Sequence, residues 1–361
     1  MRVVVTIQHP GHVHFFRYAI RALEERGHDV YVFARENEVT TDLLDCFGIE
    51  HEVLAGSSNS LLSLAAVQAT YETRLYRHAR RIDPDVITAI GGVAAAHVAT
   101  LLDAKSVVFY DTEHATIITK LAYPFADVVC TPACYRGNVG PKQVRYPGYH
   151  ELAYLHPNRF EPDPDVLETF GLEPEDSLAI VRFSSWDSSH DVGQGGFDDP
   201  RDVVARLEEA GASVLLTSEI PLPAELESHR LSTSPDRLHD LLYYADVVVG
   251  EGATTAAEAA VLGTPAVYVN TLSLGYTTEL EKRYGLVFNY HGEDRHARSL
   301  ETAVDILGAD EPATWEHRRE QLLAETVDVT DVIVSEVEAA GRATATPRTS
   351  PARATSMARS R

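Results

Sequence analysis

Short β-branched runs alternate with helix-period stretches along most of this chain, and this rhythm constrains the fold more than any other feature. The stretches between the runs have the apolar spacing of amphipathic helices; they span 13–26, 61–82, 94–103 and 117–125. Strands that are apolar on both sides and joined by helices indicate a parallel sheet with helices on both faces. In the first half the predicted strands are VVVTI (3–7), DVYVFA (29–34), DVITAI (85–90), SVVFYD (106–111) and DVVCTP (127–132).

The second half of the chain repeats the rhythm and predicts a second domain of the same kind. Residues 156–166, HPNRFEPDPDV, are rich in Pro and Asp, a composition typical of an interdomain linker. With 361 residues the chain can bury two cores. We therefore expect an α/β protein of two doubly wound Rossmann-type domains, residues 1–157 and 158–340, facing each other across a cleft. The predicted strands here span 178–184, 213–218, 246–250 and 266–270, and the helices 202–210, 235–244, 255–262, 276–284 and 313–340.

The chain is strongly acidic, and its charge is unevenly distributed. It carries 31 Lys and Arg against 54 Asp and Glu, a net charge of −23, and only four of the basic residues are Lys. The last 21 residues hold five Arg and no acid, so residues 1–340 carry a net −28. A body this acidic repels a nucleic-acid backbone, and we expect no nucleic-acid partner. An acidic surface almost without Lys instead predicts a halophilic protein that folds in concentrated salt.

Compartment and membrane signals favour a cytoplasmic protein. The three Cys form no CxxC pair, which predicts a reducing compartment. The first strand follows Met1 and Arg2 directly, and no apolar run reaches about 18 residues, so we expect neither a signal peptide nor a transmembrane segment. Residues 341–361 lack apolar periodicity, and we expect them to form a disordered basic tail. The sequence contains no P-loop, HExxH or GxSxG signature.

Residues 245–270, ADVVVGEGATTAAEAAVLGTPAVYVN, form the most informative segment. A buried strand runs to Gly250, a turn of small residues follows, and a helix is predicted to start near Thr254 and Thr255. Small residues let a phosphate approach the backbone, and a helix N-terminus offers N–H groups and a positive dipole. Glu258, one turn further, could accept both hydroxyls of a ribose. The alternative is an ordinary strand-to-helix turn in which a Thr serves only as N-cap.

This segment resembles the nucleotide-sugar motif of the GT-B glycosyltransferases, most of all the N-acetylglucosaminyltransferase that makes peptidoglycan lipid II. In that family a Gly-Ala-x-Thr-x-x-Glu stretch holds the diphosphate and the ribose of UDP. A departure is Glu251, because the transferases carry a small or hydroxyl residue there. A carboxylate at this position would repel a diphosphate unless it points away or pairs with a base such as Arg182. The positions that match the motif are Gly252, Ala253, Thr255 and Glu258, with Thr254 between them.

A second resemblance extends along nearly the whole folded chain, to a largely archaeal family catalogued as domain of unknown function 354. Together the two resemblances imply a GT-B-like fold within the superfamily of GT-B glycosyltransferases and UDP-N-acetylglucosamine 2-epimerases. A nucleotide sugar is then the substrate, and the resemblance implies neither a separate cofactor nor a metal. The segments that carry the second resemblance are HPGHVHFFR (9–17), YDTEHAT (110–116), YPFADVVCTP (123–132), YPGYHELAYLHP (146–157) and residues 245–270.

The loop after the first strand, QHPGHVHFF (8–16), is the first candidate for the catalytic side of the cleft. In GT-B enzymes this loop approaches the acceptor or the donor phosphate. Gly11 permits close approach of the backbone, and His9, His12 or His14 can act as a base or donate to a phosphate. The H-x-x-H-x-H spacing could also bind a metal, but it is not one of the standard sets. Histidines that merely line or cap the turn are the remaining alternative.

Four further loops supply candidate side chains. Asp111, Glu113 and His114 follow the strand at 106–111 and form a candidate acid/base cluster, unless they only cap the next helix. The pair Gly91 and Gly92 predicts a close-approach turn that lines the cleft. In GT-B enzymes the loop after the first strand of the second domain closes over the donor pyrophosphate, so its phosphate candidates are Arg182, Ser184 and Ser185. In the crossover YPGYHE (146–151), His150 and Glu151 could face the cleft or simply start a helix.

Three functions fit these observations. The first is a metal-independent glycosyltransferase of glycan or cell-envelope synthesis, with a UDP sugar as the expected donor and an acceptor that the sequence does not name. The second is a UDP-N-acetylglucosamine 2-epimerase-like enzyme, in which Asp111 or Glu113 would take the place of a catalytic Glu. Against it, the epimerases carry an acidic residue where this chain has Gly91-Gly92-Val93. The third is a non-catalytic nucleotide-sugar binder, and association into a homo-oligomer is compatible with all three.

Overall fold

A computed structural model of the chain describes residues 1–37, 39–57, 61–113, 116–184, 197, 199–219, 221–309 and 311–344. The strands in these ranges are β1 (Arg2–Ile7), β2 (Asp29–Arg35), β3 (Glu52–Ala55), β4 (Val86–Ile90), β5 (Lys105–Phe109), β6 (Val128–Pro132), β7 (Gln143–Tyr146), β8 (Leu178–Phe183), β9 (Ser213–Ser218), β10 (Val247–Gly250), β11 (Ala266–Val269) and β12 (Val287–Tyr290).

The helices in the same ranges are α1 (Pro10–Glu25), α2 (Thr40–Cys46), α3 (Leu61–Ile82), α4 (Val93–Leu102), α5 (Thr116–Ala122), α6 (Asp165–Glu168), α7 (Pro200–Glu209), α8 (Leu238–Tyr244), α9 (Ala253–Leu262), α10 (Gly275–Glu279), α11 (Arg295–Ala309), α12 (Pro312–Glu325) and α13 (Val329–Thr344). Short turns of 3₁₀ helix lie at His150–Ala153, Ala224–His229 and Pro235–Arg237, and one π-helical turn lies at Leu280–Tyr284.

The strands form two parallel sheets, and this confirms the predicted α/β class. The first sheet has seven strands in the order β3-β2-β1-β4-β5-β6-β7, and the second has five in the order β12-β11-β10-β8-β9. Every pairing in both sheets is parallel. Parallel pairing requires a crossover between consecutive strands. Helices supply it except between β6 and β7, where residues 133–142 form a non-helical connection.

Each sheet contains one point at which the strand order reverses, and these points set where a ligand can bind. In the first sheet β1 lies beside β4, and in the second β8 lies beside β10. The crossovers on the two sides of such a pair go to opposite faces, so a crevice opens beyond the carboxyl ends of the two strands. The loops after β1, β4, β8 and β10 therefore line the expected crevices.

The single helix predicted near 313–340 is wrong, because the chain breaks it into α12 and α13. Thr326 is extended, with φ −121° and ψ 175°. The buried Asp328 carboxylate then accepts from the Thr330 N–H at 3.0 Å and from Arg159 Nε at 2.7 Å. A carboxylate that accepts an N–H of the first turn starts a new helix. The break lets α13 return to the first domain, where it packs against α1, β4 and β5.

The apolar core joins both halves of the chain. One cluster of buried side chains contains Val3 and Phe109 from the first sheet, Ile180 and Val248 from the second, and Ile333 from α13. Helix α13 extends to Thr344, and residues 345–361 of the predicted tail lie outside the described residues. The domain limits at 157 and 340 stay predictions. In the described part of the chain, no helix combines the length and apolar character that a membrane span requires.

Candidate functional site

The N-terminus of α9 opens at the crevice of the second sheet. Gly252 is its N-cap, and the helix begins at Ala253, slightly earlier than predicted. A Thr is not the cap, so the hydroxyls are not used for capping. The Thr254 side chain is exposed and Thr255 is buried. A Cβ on Gly252 would lie 3.2 Å from Cδ and Nε of Arg182, so a larger residue here would press on that arginine.

Glu258 lies further along α9 in a buried network between the two domains. Its Oε1 accepts from the Tyr154 hydroxyl at 2.8 Å and lies 3.0 Å from Nε2 of His239. Burial alone would raise the pKa of Glu258, but His239, the Tyr154 hydrogen bond and Arg182 outweigh it and hold the pKa below its usual value. Glu258 is therefore ionised, and one of its two oxygens is already engaged by the protein.

Glu251, the residue that departs from the transferase motif, accepts hydrogen bonds from two backbone N–H groups. Its carboxylate accepts from the Ser184 N–H at 2.8 Å and from the Phe197 N–H at 2.7 Å. Arg182 instead pairs with Glu219 at 2.6 Å and donates to the Thr217 hydroxyl at 3.1 Å. The side chain of Glu251 is 5% exposed, so its charge is directed into the protein. Ser185, the remaining phosphate candidate of this loop, lies outside the described residues.

The histidines of the first loop have different surroundings. His9 is the N-cap of α1, and its Nδ1 accepts from the Gly11 N–H at 3.1 Å. Nδ1 of His12 lies 3.4 Å from the N–H of Gln8, and burial, then the charges of His9, His150 and Arg35, hold the pKa of His12 well below its usual value. His14 is buried with its ring 4.8 Å from that of His239. Within the described ranges, no three His, Cys, Asp or Glu side chains gather as metal ligands.

The glycine pair after β4 adopts the backbone that a close-approach turn requires. Gly91 has φ 72° and Gly92 has φ 68°, both in the left-handed region that favours glycine. Gly92 is the N-cap of α4. A Cβ there would lie 2.5 Å from Cγ2 of Val108. The pair therefore holds the β4–α4 turn tightly against β5 at the carboxyl edge of the first sheet.

Asp111 and Glu113, which the sequence places in one cluster, take separate partners. Asp111 Oδ2 lies 3.2 Å from Nδ1 of His150, and its Oδ1 accepts from the Thr112 hydroxyl. Glu113 reaches across to the second domain, where it accepts from the Gly275 N–H at 3.2 Å, and it also accepts from the Arg136 N–H at 3.1 Å. Glu113 thus links the two domains at the start of α10. His114 lies outside the described residues.

The structure places two residues that the sequence analysis left with two alternatives, and it adds two others, His239 and Tyr154, that were not named as candidates. His150 and Glu151 do start a 3₁₀ turn, yet both are buried beside Asp111. Burial, then the charges of Asp111 and Glu258, raises the pKa of Glu151 well above its usual value. His239 lies among leucines in the predicted helix at 235–244. A histidine in such an apolar stretch is the only sign in the sequence that this residue belongs to the site. Tyr154 was visible only as part of YPGYHELAYLHP.

Comparison with known proteins identifies the family. Residues 1–275 match the family model described as "Protein of unknown function (DUF354)". The chain belongs to this family. It is also 22% identical over 281 residues to Uncharacterized protein MJ0665 of Methanocaldococcus jannaschii, an alignment that covers 73% of this chain and 80% of that protein.

Solved structures show the same fold at low sequence identity. A putative UDP-N-acetylglucosamine 2-epimerase from Listeria monocytogenes aligns with a TM-score of 0.68 and 13% identity, covering 94% of this chain and 96% of that one. The glycosyltransferase VinC in complex with dTDP aligns with a TM-score of 0.66 and 14% identity, over 95% and 100% of the two chains. UDP-GlcNAc 2-epimerase from Neisseria meningitidis bound to UDP-GlcNAc aligns with a TM-score of 0.66 and 12% identity, covering 94% of this chain and 100% of that one. This DUF354 family member therefore has a GT-B-like fold.

Proposed function

We propose that this protein is a nucleotide-sugar-dependent glycosyltransferase of glycan or cell-envelope synthesis that uses a UDP sugar and no metal. The observation that carries the proposal is the N-terminus of α9 at the crevice between β8 and β10, with Glu258 ionised behind it. A helix N-terminus binds phosphate groups, and a carboxylate beside it binds sugar hydroxyls. The fold supports the proposal, since similar structures were solved with dTDP and UDP-GlcNAc.

The donor is held by the second domain. The backbone of Gly252 and Ala253 and the hydroxyls of Thr254 and Thr255 bind the diphosphate. Glu258 accepts a ribose hydroxyl through Oε2, because Oε1 already accepts from Tyr154 and His239. The backbone and hydroxyl groups that bind the diphosphate are uncharged. In a protein of net charge −23, they limit the electrostatic cost of binding an anion.

Two further groups are proposed to contact the phosphates. Arg182 approaches the diphosphate by giving up its ion pair with Glu219, which is half-exposed and therefore weak. Ser184 contributes its hydroxyl, since its N–H is already bonded to Glu251. Ser185 is proposed for the same role on the sequence alone.

The acceptor is held by the first domain, at the loops after β1, β4 and β5. His9, Gly11, Gly91 and Gly92 line this side. A base there removes the proton from the acceptor hydroxyl, and the oxygen attacks the anomeric carbon while the bond to the diphosphate breaks. The N-terminal dipole of α9 stabilises the charge that develops on the leaving diphosphate. The product is inverted at the anomeric carbon, and nucleoside diphosphate leaves the second domain.

Nucleotide binding is the direct test, measured by calorimetry with UDP, dTDP and UDP-GlcNAc. Thr254→Ala removes an exposed hydroxyl without touching the core, and we expect UDP binding to weaken severalfold. Glu258→Gln removes the ionised acceptor, and we expect roughly a 10- to 100-fold loss, since a hydrogen bond to a charged group contributes about 1.5–3 kcal/mol. Glu301→Gln, on the exposed face of α11, is the control and should bind like the wild type. Equal affinity in all four proteins would refute the proposed site.

Product analysis separates the transferase from the two alternatives. Incubation with UDP-GlcNAc, with and without an acceptor, is followed by NMR of the sugar. Release of UDP only with an acceptor supports transfer chemistry, whereas an inverted C2 centre supports the epimerase. The epimerase is favoured by one observation, the half-buried carboxyl of Asp111 and the buried carboxyl of Glu151 beyond the carboxyl edge of the first sheet. Binding of the nucleotide sugar with neither product, across a panel of alcohol acceptors, would instead indicate a binding protein.

A further inference from the structure

His150 and Asp111 form a buried pair that comes from two distant parts of the chain. His150 begins the 3₁₀ turn after β7, and Asp111 follows the end of β5. Nδ1 of the imidazole lies 3.2 Å from Oδ2 of the carboxylate. The other carboxylate oxygen accepts from the Thr112 hydroxyl at 2.8 Å, which orients the carboxylate. The histidine side chain is 9% exposed and the aspartate side chain 18% exposed.

The carboxylate fixes the tautomer of the imidazole. Because an ionised carboxylate only accepts hydrogen bonds, the proton of a neutral His150 lies on Nδ1, and Nε2 carries a lone pair. Nε2 is buried and has no hydrogen-bond partner among the described residues, as is also true of His14 Nδ1. A buried polar atom without a partner is uncommon, and a role in catalysis is one explanation for it. Here the missing partner must be a donor, such as the O–H of an alcohol or sugar.

His12 and His14, which were also proposed for catalysis, show no such arrangement among the described contacts. Nδ1 of His12 faces the backbone N–H of Gln8, and the His14 ring packs edge-on against His239. Neither is paired with a carboxylate among the described contacts. The His150 ring instead lies between Asp111 and Phe15, whose ring is 4.6 Å away. Its position is therefore fixed on both sides, as a base requires.

We propose that Nε2 of His150 is the atom that takes the proton from the acceptor hydroxyl, with Asp111 as its positioning residue. This inference rests on the proposed glycosyl transfer. As the acceptor oxygen forms its bond to the anomeric carbon, its proton moves to Nε2, and the electron pair of the breaking bond leaves with the diphosphate. Asp111 stabilises the imidazolium that results. Because Nε2 has no exposed surface, the acceptor reaches it when the domains part, and their closure then keeps water out.

The ionisable groups around the ring decide the pH range in which it can accept a proton. Asp111 faces Nδ1 and raises the pKa of His150, but burial is the larger effect and lowers it overall. His12, from α1, is near enough for the charge of His150 to lower its pKa. Glu151 is on the same turn, and burial, then the charge of Asp111, raises its pKa well above its usual value. The imidazole is therefore neutral at pH 7. In a plot of rate against pH, the acid limb, where the rate falls as this group is protonated, lies below the ordinary pKa of histidine.

The test compares His150→Asn with His97→Asn. Asn can keep the donor to Asp111, because its amide takes the place of Nδ1, but it has no atom at Nε2. His97 is paired with Glu72 at 2.9 Å on α3 and α4, so it is a matched histidine–carboxylate pair outside the site. We expect His150→Asn to slow UDP release from UDP-GlcNAc by about 100-fold or more, with UDP affinity unchanged and the acid limb abolished. The control should match the wild type.

The ligand-free protein gives a second readout. Nitrogen-15 NMR of histidine-labelled protein should show His150 with its proton on Nδ1, and Asp111→Asn should shift the population toward protonated Nε2. A resting Nε2–H tautomer would overturn the inference even if no turnover were detected, and so would wild-type kinetics in His150→Asn. Failure of the wild type to bind any nucleotide would instead refute the proposed function. The two failures are thus distinguishable.

Discussion

Gly92 and Gly48 have nearly the same backbone conformation but very different surroundings. Their φ angles are 68° and 64°. A Cβ on Gly48 would meet nothing within 4 Å, whereas a Cβ on Gly92 would lie 2.5 Å from Cγ2 of the buried Val108. The pair therefore separates two costs of replacing glycine, backbone strain and steric overlap.

We predict that Gly48→Ala costs about 1–2 kcal/mol, the strain of a left-handed alanine. Gly92→Ala should cost about 1–3 kcal/mol more, because the added methyl group overpacks against β5. Urea denaturation of both variants measures the difference. Val108→Ala in the Gly92→Ala background should recover part of it, so that the double change costs less than the sum of the single ones. Equal costs for the two glycines would show that the β4–α4 turn is looser than its geometry indicates.

Single residues also show the limit of what the sequence predicts about the site. The motif shows that Glu251 departs from the transferases, and charge reasoning suggests Arg182 as its partner. In the structure its carboxylate accepts from the N–H groups of Ser184 and Phe197. Every residue type except proline carries such a donor, so a backbone partner leaves no trace in the sequence. The same reasoning could not assign a partner to Asp111, because His150 lies in another segment.

At the scale of elements, every interior strand was predictable, but of the four edge strands only β9 was. β1, β4, β8 and β10 are buried on both faces and therefore appear as continuous apolar runs. The strands missed were β3, β7 and β12, which lie at the edges of their sheets and have half-exposed, polar sequences such as QVRY. An edge strand needs little apolar character, so its pairing is decided by its neighbour rather than by its own composition.

The break between α12 and α13 is the element that the sequence pattern concealed. Apolar spacing continues through Thr326 and Asp328, so periodicity alone predicts one helix. The break depends on Arg159, which is distant in sequence and pairs with both Asp328 and Asp331. These two aspartates differ in burial, at 5% and 66% side-chain exposure, and this difference allows a matched test.

We predict that Asp328→Ala destabilises the protein by about 1–3 kcal/mol, because α13 loses its capping acceptor and Arg159 loses a buried partner. Asp331→Ala removes only an exposed ion pair and should cost about 1 kcal/mol or less. Thermal unfolding measures both, and hydrogen exchange of α13 should quicken only in the first variant. If both variants unfold alike, the cap is not what starts α13.

At the scale of the whole molecule, the two sheets could be predicted but the contacts between them could not. The Tyr154–Glu258 bond joins residues 104 positions apart, and the Glu113–Gly275 bond joins residues 162 apart. Both cross from one domain to the other, and α13 crosses back again. Local sequence patterns decide which segments are strands and helices, whereas these contacts depend on how the two folded domains pack against each other. The residues of the candidate site come from both domains, so the sequence predicted only some of them.

The acidity of the whole chain makes a prediction about salt. With a net charge of −23, the folded state is destabilised by self-repulsion at low ionic strength. The screening length falls from about 10 Å at 0.1 M salt to about 3 Å at 1 M, so concentrated KCl should remove most of the repulsion. We expect the melting temperature to rise with KCl, by roughly 2–4 °C for each kcal/mol of repulsion relieved.

Salt also stabilises proteins by exclusion from their surfaces, and a paired variant separates that effect from screening. Glu24 and Glu25 are exposed in the last turn of α1, where a negative charge opposes the helix dipole. The variant Glu24→Gln/Glu25→Gln should therefore melt above the wild type in 0.05 M KCl, and the two melting curves should converge by 2 M KCl. Exclusion acts on both proteins alike and would leave their difference constant. The acidic surface has no part in folding stability if the difference in melting temperature stays constant, or if the melting temperature of the wild type does not change with KCl. Either result would remove the basis for predicting a halophilic protein.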